Sequence, residues 1–560
     1  MRSFYIIFPV IWRSIAATAV NGTCRCAPTD KCWPSNQDWA ALNQTVDGRL
    51  IKTVPLGAVC HDPMYNESEC KKIRDTWDSL DIHLNSPTSV MSPHFAFMTN
   101  NSCDPFTAKE VPCGFGAYAR YAINATQDQH IVAGLRFARN RNIRVTIKNT
   151  GHDYLGRSTG AGALAIWTHY LNGGEVIESY QSSTYTGPAI KVGAGTQVEE
   201  FYILANNSGL MAVGGECATV GVAGGYTSGG GQSPLSSFAG LAADQTLEFE
   251  VITADGIKRR ATPEKDQDLY WALSGGGPGY GVVTSVTYKA YPTLPVSGNV
   301  FSFERGNVSY DKFWTAIETY HALIPTFANS GGYAFTFVGN ESFSMSPLFV
   351  INRTKEEVQA LVRPLEQKVK ALGIPYDSTT TTYTNYYDAW KALIGQSEGA
   401  NSGISGGRLI PRDTILNNAS ETSRVLRKVT DLGGQMLQMT IGATMEVASN
   451  PNNSVNPAWR DAVMLLFVPG GDGSLSEQQN MITNVTGAMV TKLTPTSGAY
   501  MNEADINEPN FQESFYGRNY ERLSSIKHKY DPDDIFYAKT AVGSERWKVQ
   551  SDGKLCKIIG

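Results

Sequence analysis

Two side chains in this sequence have the chemistry to act as nucleophiles and the setting to use it. His152 stands in a glycine-punctuated loop, in the stretch Val-Thr-Ile-Lys-Asn-Thr-Gly-His-Asp-Tyr-Leu-Gly-Arg-Ser-Thr over residues 145–159. The β-branched run Val145, Thr146 and Ile147 reads as a strand that feeds the loop. Lys148, Asn149, Thr150, Arg157 and Ser158, with backbone N–H groups freed by Gly151 and Gly156, form a donor set suited to a pyrophosphate. His152 would sit beside that group as a nucleophile or ligand. A hydrogen-bonded structural histidine is the alternative for such a loop taken alone.

Cys217 is the second. It lies in Gly-Gly-Glu-Cys-Ala-Thr-Val-Gly-Val-Ala-Gly-Gly, residues 214–225, far from most of the other cysteines. Glycines at this density let backbone approach a large flat ligand without Cβ clashes, although they also suit a tight loop between strands. Further glycines follow at 229–231, and a late cluster runs from Gly275 through Gly276 and Gly281 to Val282. Near the C-terminus stand Tyr500-Met-Asn-Glu503-Ala-Asp505 and Tyr516-Gly-Arg-Asn519.

In this order the segments resemble the flavin domain of the vanillyl-alcohol-oxidase superfamily, in its berberine-bridge-enzyme-like branch, with fungal isoamyl-alcohol-oxidase-type FAD-linked oxidoreductases as the best match. The resemblance implies an α+β chain: a two-part FAD-binding domain of the vanillyl-alcohol-oxidase (PCMH) type, with an inserted antiparallel-sheet substrate domain covered by helices. It implies FAD held by two covalent bonds, His152 to the 8α-methyl and Cys217 to C6. Asn149, Thr150, Gly151, Gly156, Arg157, Ser158, Val220, Gly221, Gly225, Gly276, Val282, Tyr516 and Asn519 fall at positions expected to contact the cofactor. A valine at 220 resembles the oxidases of the family, in which O2 reaches the flavin; the plain reading is a packing residue. Residues 500–505 resemble the family's Tyr-x-Asn-x-x-Asp pocket segment, but Glu503 replaces the usual Tyr or His. That makes Glu503 a candidate base and Tyr500 its hydrogen-bonding aid, with Glu446 a weaker alternative. If 500–505 is a strand, Glu503 shares a face with Met501 and Asp505 and points away from Asn502.

Composition sets the context. A chain of 560 residues can bury a large core and hold more than one domain. Its net charge of −5 is spread without long runs, which favours neither nucleic acid nor an anionic membrane as partner. The first residues combine a basic start with a short apolar run, and Ala17-Thr-Ala19 offers a cleavage site; the run is too short for a stable membrane span. Twelve Asn-x-Ser/Thr sequons, including Asn43, Asn66, Asn124, Asn352 and Asn484, make N-glycans expected. Seven of the nine cysteines crowd between Cys24 and Cys113, which reads as a disulfide-stapled segment. If Cys217 bonds a flavin, the other eight can pair completely, in a connectivity the sequence does not reveal. Zinc at Cys24, Cys26 and Cys32 competes, but no second pair or histidine completes four ligands, so no metal site is expected.

Pattern then supplies elements. Capping boxes at Thr126/Gln129, Thr196/Glu199 and Thr354/Glu357 start three helices, the last running 354–372 to a stop at Gly373. Leu247, Phe249 and Val251 alternate into an Asp255-Gly256 hairpin. The absence of a strict βαβ rhythm and of an early Gly-x-Gly-x-x-Gly turn argues against Rossmann-type binding. Beyond Pro292 and Pro295, strand-like runs at 332–338, 437–441 and 463–468 alternate with helices, as in an antiparallel sheet covered on one face. The expected organisation is a leader at 1–19, a disulfide-rich segment at 20–113, an FAD-binding domain at 114–294, a substrate domain at 295–499 and a returning segment at 500–560. The expected activity is a secreted or lumenal FAD-linked oxidation of an alcohol or a secondary-metabolite intermediate by hydride transfer, with O2 as acceptor and H2O2 as product. Oxidation of an oligosaccharide at its anomeric hydroxyl is the alternative.

Overall fold

The computed structural model of the chain describes residues 24–91, 99, 102–395 and 405–558; the expected leader lies outside the described residues. A small four-stranded sheet comes first, in the order Leu50–Lys52, Tyr121–Asn124, Leu164–Trp167, Val145–Lys148. Its last three strands are mutually parallel. The helix Asp128–Asn140 provides the crossover between Tyr121–Asn124 and Val145–Lys148, burying Ile131, Leu135 and Ala138. The His152 loop leaves the end of Val145–Lys148. A second sheet is antiparallel and five-stranded: Gly174–Gln181, Thr186–Gly193, Val282–Lys289, Thr246–Ile252, Lys258–Ala261. The expected hairpin about Asp255-Gly256 joins the last two strands in this order.

A third, seven-stranded sheet is wholly antiparallel: Tyr376–Tyr383, Val296–Glu304, Ser342–Ile351, Gly332–Val338, Met436–Thr440, Ala462–Pro469, Ser405–Pro411. Period-2 patterning divides its two faces. Ala334, Val338, Phe343, Met436, Val463 and Val468 join a core with the helices Tyr310–Asn329, Lys355–Ala371 and Ala419–Gly433. Phe335, Leu437, Met439, Leu465 and Phe467 belong instead to the central core of the molecule. The helices thus cover one face, and the other face turns toward the two smaller sheets.

Local starts differ from pattern in two places. The helix Asp128–Asn140 begins one residue late, with Gln127 as N-cap and no side-chain cap, because the Thr126 N–H meets His130 Nδ1 at 3.4 Å. The next helix is capped by Gln197 with Glu200, one residue beyond the expected pair. The hydroxyl of Thr196 is occupied by the Gly173 carbonyl at 3.1 Å. The Thr354/Glu357 box is as expected.

Eight cysteines pair, as Cys26–Cys32, Cys60–Cys70, Cys103–Cys113 and Cys24–Cys556. Three bridges lie inside the N-terminal segment, whereas the fourth ties it to the far end of the chain. Cys26, Asp30 and Cys32 cluster closely, but the disulfide consumes both thiols and leaves no zinc ligand set. Cys217 takes part in no disulfide and is buried. Among the described residues, no helix is long and apolar enough to cross a membrane.

Candidate active site

The three sheets converge on a cavity of about 650 Å³, within the size range of cofactor and ligand sites. The His152 loop supplies one wall and the Cys217 loop the next, and the two loops are stitched to each other. Gly221 N–H donates to Thr150 Oγ1 at 3.3 Å, while Asn149 Nδ2 ties the histidine loop to the Ala194 carbonyl, just past the strand Thr186–Gly193, at 2.6 Å. A Cβ at Gly221 would lie 1.9 Å from Asn149 Nδ2, so any larger residue there would have to move the Asn149 amide. Gly151 turns the histidine loop at φ +88°, a region that glycine enters without penalty.

His152 and Cys217 both line the cavity. Thr219 lies between them: its Oγ1 is 2.7 Å from His152 Nε2 and 3.7 Å from Cys217 Sγ. Burial, reinforced by the positive charge of Lys148, pushes the His152 pKa down to about 3. The imidazole is therefore neutral at physiological pH and keeps a lone pair for a bond. Behind Cys217, Leu80, Leu84 and Met91 of the disulfide-rich segment pack against the thiol and Val220, and Met91 N–H donates to the Gly151 carbonyl at 2.9 Å.

Several side chains read from the sequence as ligand donors have other duties. Lys148 is buried, with Nζ directed to the carbonyls of His83 and Leu84 at 3.4 and 3.5 Å and over the Trp167 ring. It therefore turns away from the cavity, and burial lowers its pKa to about 7. Asp153 takes up the Ser158 N–H at 3.0 Å and its hydroxyl at 3.4 Å. Ser158 thus braces the loop, although it remains on the wall with Asn149, Thr150, Gly151 and Arg157. Val220, Gly221 and Gly225 line the cavity as well.

Gly156, Gly276, Val282, Tyr516 and Asn519 stand off the wall, each for a local reason. Gly156 turns the histidine loop at φ +69°. Gly276 is packed against the Ala272 carbonyl and Leu523, and its neighbours Gly277, Pro278 and Gly279 line the cavity instead. Val282 faces the core of the small sheet, so strand alternation presents Val283 instead. Tyr516 donates its hydroxyl to the Thr540 carbonyl at 2.9 Å, and Asn519 donates to the carbonyls of Ser454 and Val455.

Residues 500–503 form a turn closed by Glu503 N–H on the Tyr500 carbonyl at 3.0 Å, not a strand. Strand alternation therefore does not apply, and Tyr500, Asn502 and Glu503 all reach the cavity. Asp505 is held away by Gln479 and Thr483, each at 2.6 Å. Asn502 Nδ2 donates to the Tyr500 hydroxyl oxygen at 3.0 Å and to the Gly225 carbonyl at 3.0 Å, which joins this turn to the cysteine loop. Burial first, then the nearby Glu503 charge, raises the Tyr500 pKa far above the usual phenol. Tyr500 therefore keeps its proton and does not serve as a base. Glu446 is exposed and away from the cavity.

A further carboxylate, besides Glu503 and Asp153, stands inside the Cys217 motif without a role assigned to it from sequence. Glu216 lines the same cavity, accepts the Tyr333 hydroxyl, and has its backbone carbonyl held by Trp390 Nε1 at 3.2 Å. Its adjacency to Cys217 is the one sequence feature that points to it. The large sheet closes the cavity with Phe335, Phe337, Leu437, Met439, Phe467 and Pro469, relieved by Gln435.

The lining fits an FAD. It offers a glycine-rich approach, two nucleophiles sharing one hydroxyl, and polar atoms awaiting partners. Thr146 Oγ1, Asn149 Oδ1 and Gln232 Oε1 are buried without a hydrogen-bond partner among the described residues, and all three residues line the cavity. Two of these are amide acceptors, matched by a ligand that brings N–H or O–H donors.

Comparison with known proteins follows the same lines. Residues 119–262 match the family model "FAD binding domain", and residues 499–543 match "Berberine and berberine like". The FAD-linked oxidoreductase patO of Aspergillus clavatus is 44% identical over 548 residues, covering 96% of this chain and 95% of that one. The crystal structure of a VAO-type flavoprotein from Myceliophthora thermophila C1 superimposes with a TM-score of 0.91 at 39% identity, covering 96% of this chain and all of that one. The glucooligosaccharide oxidase of Acremonium strictum, described with a 6-S-cysteinyl, 8α-N1-histidyl FAD, shares the fold at a TM-score of 0.61 and 16% identity, covering 76% of this chain and 92% of that one.

Proposed function

The chain belongs to the FAD-linked oxidoreductases of the vanillyl-alcohol-oxidase type, in their berberine-like branch, and from that membership we propose a specific activity and mode of cofactor binding. The protein oxidises an apolar alcohol, or an alcohol-bearing intermediate of secondary metabolism, with its FAD bonded to both His152 and Cys217. Dioxygen is the acceptor and hydrogen peroxide the product, in keeping with a valine at position 220 on the cavity wall. The observation that carries this reading is the single cavity that joins both nucleophiles to an apolar wall from the large sheet.

Bound FAD supplies a two-electron acceptor for the hydride on the substrate carbon. The protein's part is to place that carbon and to take the hydroxyl proton. Glu503 is the base of this proposal, a carboxylate on the wall that can accept the proton as the carbonyl forms. Tyr500, kept protonated, donates a hydrogen bond to the substrate oxygen and is itself aligned by Asn502. Glu216, oriented by Tyr333, places a second acceptor across the same space.

Substrate class follows from the opposite wall. A sugar would need hydrogen-bonding partners for most of its hydroxyls, and Phe335, Phe337, Leu437, Met439, Phe467 and Pro469 provide none through their side chains. Those side chains favour an aromatic or polyketide-like body with one reactive hydroxyl. Four disulfides support synthesis through the secretory pathway, and the sequons make N-glycans part of the proposal. A peroxide assay over benzylic and allylic alcohols, set against lactose and cellobiose, tests the function. Peroxide from the apolar alcohols supports it; turnover of the sugars alone would replace it with the oligosaccharide reading.

A further inference from the structure

We propose that Thr219 is the positioning residue for cofactor attachment, with its one hydroxyl serving both bonds. This rests on the bicovalent reading above and goes beyond it, since Thr219 itself does not line the cavity. It lies behind the two residues that do, 2.7 Å from His152 Nε2 and 3.7 Å from Cys217 Sγ.

A hydroxyl donates one hydrogen and accepts others. Because His152 is neutral, one of its nitrogens carries a proton and the other a lone pair. When Nε2–H donates to Thr219 Oγ1, the lone pair is placed on Nδ1, which becomes the atom that forms the bond. The Thr219 O–H is then directed to Cys217 Sγ, where it stabilises the thiolate over the thiol. One residue thereby fixes the imidazole tautomer and assists the sulfur, and it does so from a loop anchored on both sides. Glu199 N–H donates to the Ala218 carbonyl at 3.0 Å, and Val198 N–H donates to the Val220 carbonyl at 2.9 Å.

In each attachment a C–H bond of the ligand is replaced by C–N or C–S, with the electron pair of the new bond supplied by Nδ1 or by the thiolate. The displaced hydrogen and the proton of the protein group leave as protons. The two electrons left on the isoalloxazine pass to dioxygen, which takes up the two protons as hydrogen peroxide. The new C–N bond makes the Nε2 proton more acidic, and Thr219 Oγ1 is its immediate acceptor.

Since the same hydroxyl faces both atoms, replacement of Thr219 should affect both bonds. The test uses Thr219→Val, which keeps the shape, and Thr219→Ser, which keeps the hydroxyl. Each full-length variant is digested after denaturation, and the flavin content of the His152 peptide and of the Cys217 peptide is quantified separately. Flavin released on denaturation reports that the site has folded and filled. The expected result is that Thr219→Val holds flavin with both links reduced about tenfold or more, whereas Thr219→Ser matches wild type. Full linkage of both peptides in Thr219→Val overturns the proposal, and so does loss of linkage in Thr219→Ser. Thr219→Ala, read in the same way, serves if the valine variant binds no flavin. A wild-type protein with no linked flavin on either peptide overturns the bicovalent reading itself, an outcome distinct from a failure of Thr219 alone.

Discussion

The site depends on contacts with no room for one further methyl group. A Cβ at Gly221 would strike Asn149 Nδ2 at 1.9 Å, and the Asn149 amide would have to leave its bond to the Ala194 carbonyl. Gly221→Ala should therefore displace the Asn149 side chain from the wall and lower the yield of covalent flavin, measured as flavin absorbance remaining with the denatured protein. The charge state of His152 gives a second prediction. Its folded pKa of about 3 lies below the ordinary 6.5, so the imidazole stays neutral, and nucleophilic, as pH falls through 6.5. In Cys217→Ala, where only the histidine link can form, the rate of flavin attachment should be flat between pH 8 and pH 5. A fall centred near 6.5 would mean that His152 is exposed to solvent. Residue identities alone make both nucleophiles legible. They cannot show that Lys148 lies behind the wall, or that Val283 rather than Val282 faces the cavity, because each depends on which side of a strand a neighbour packs.

At the scale of elements, period-2 alternation makes the large sheet and its helix-covered face legible from residue pattern alone. The same rule misleads at 500–505, where no partner strand is found among the described residues and the chain turns instead. Whether a short segment is strand or turn is decided by neighbours that local sequence does not contain. The sheet's division of labour is testable on one pair of aromatic residues. Phe343 is 1% exposed, stacked on Phe303 with ring centroids 4.8 Å apart in the helix-side core. Phe337 is 36% exposed and faces the cavity. Phe343→Ala should cost about 3–5 kcal/mol of stability, read from denaturant unfolding. Phe337→Ala should leave the unfolding midpoint nearly unchanged and raise KM for an apolar alcohol. The reverse pattern would place the substrate elsewhere.

Across the whole molecule, the chain is closed on itself. Cys24 bonds Cys556 over a separation of 532 residues, and Arg25 reinforces the join by donating to the carbonyls of Asp533 and Asp534 at 2.7 and 2.8 Å. The number of cysteines implies full pairing once Cys217 is set aside, but it cannot reveal that one bridge spans the molecule. The double variant Cys24→Ser/Cys556→Ser should lose about 2–5 kcal/mol, seen as a lower thermal midpoint, while keeping its flavin spectrum because neither cysteine lines the cavity.

Everything proposed for the cavity starts from one FAD bonded to the protein at two places. The most direct test is the intact mass of the denatured, deglycosylated protein in four forms: wild type, His152→Ala, Cys217→Ala and the double variant. One added FAD is expected in the wild type and in flavin-loaded molecules of each single variant, and none in the double variant. A wild-type mass without FAD, or retention of FAD by the double variant, would contradict bicovalent attachment.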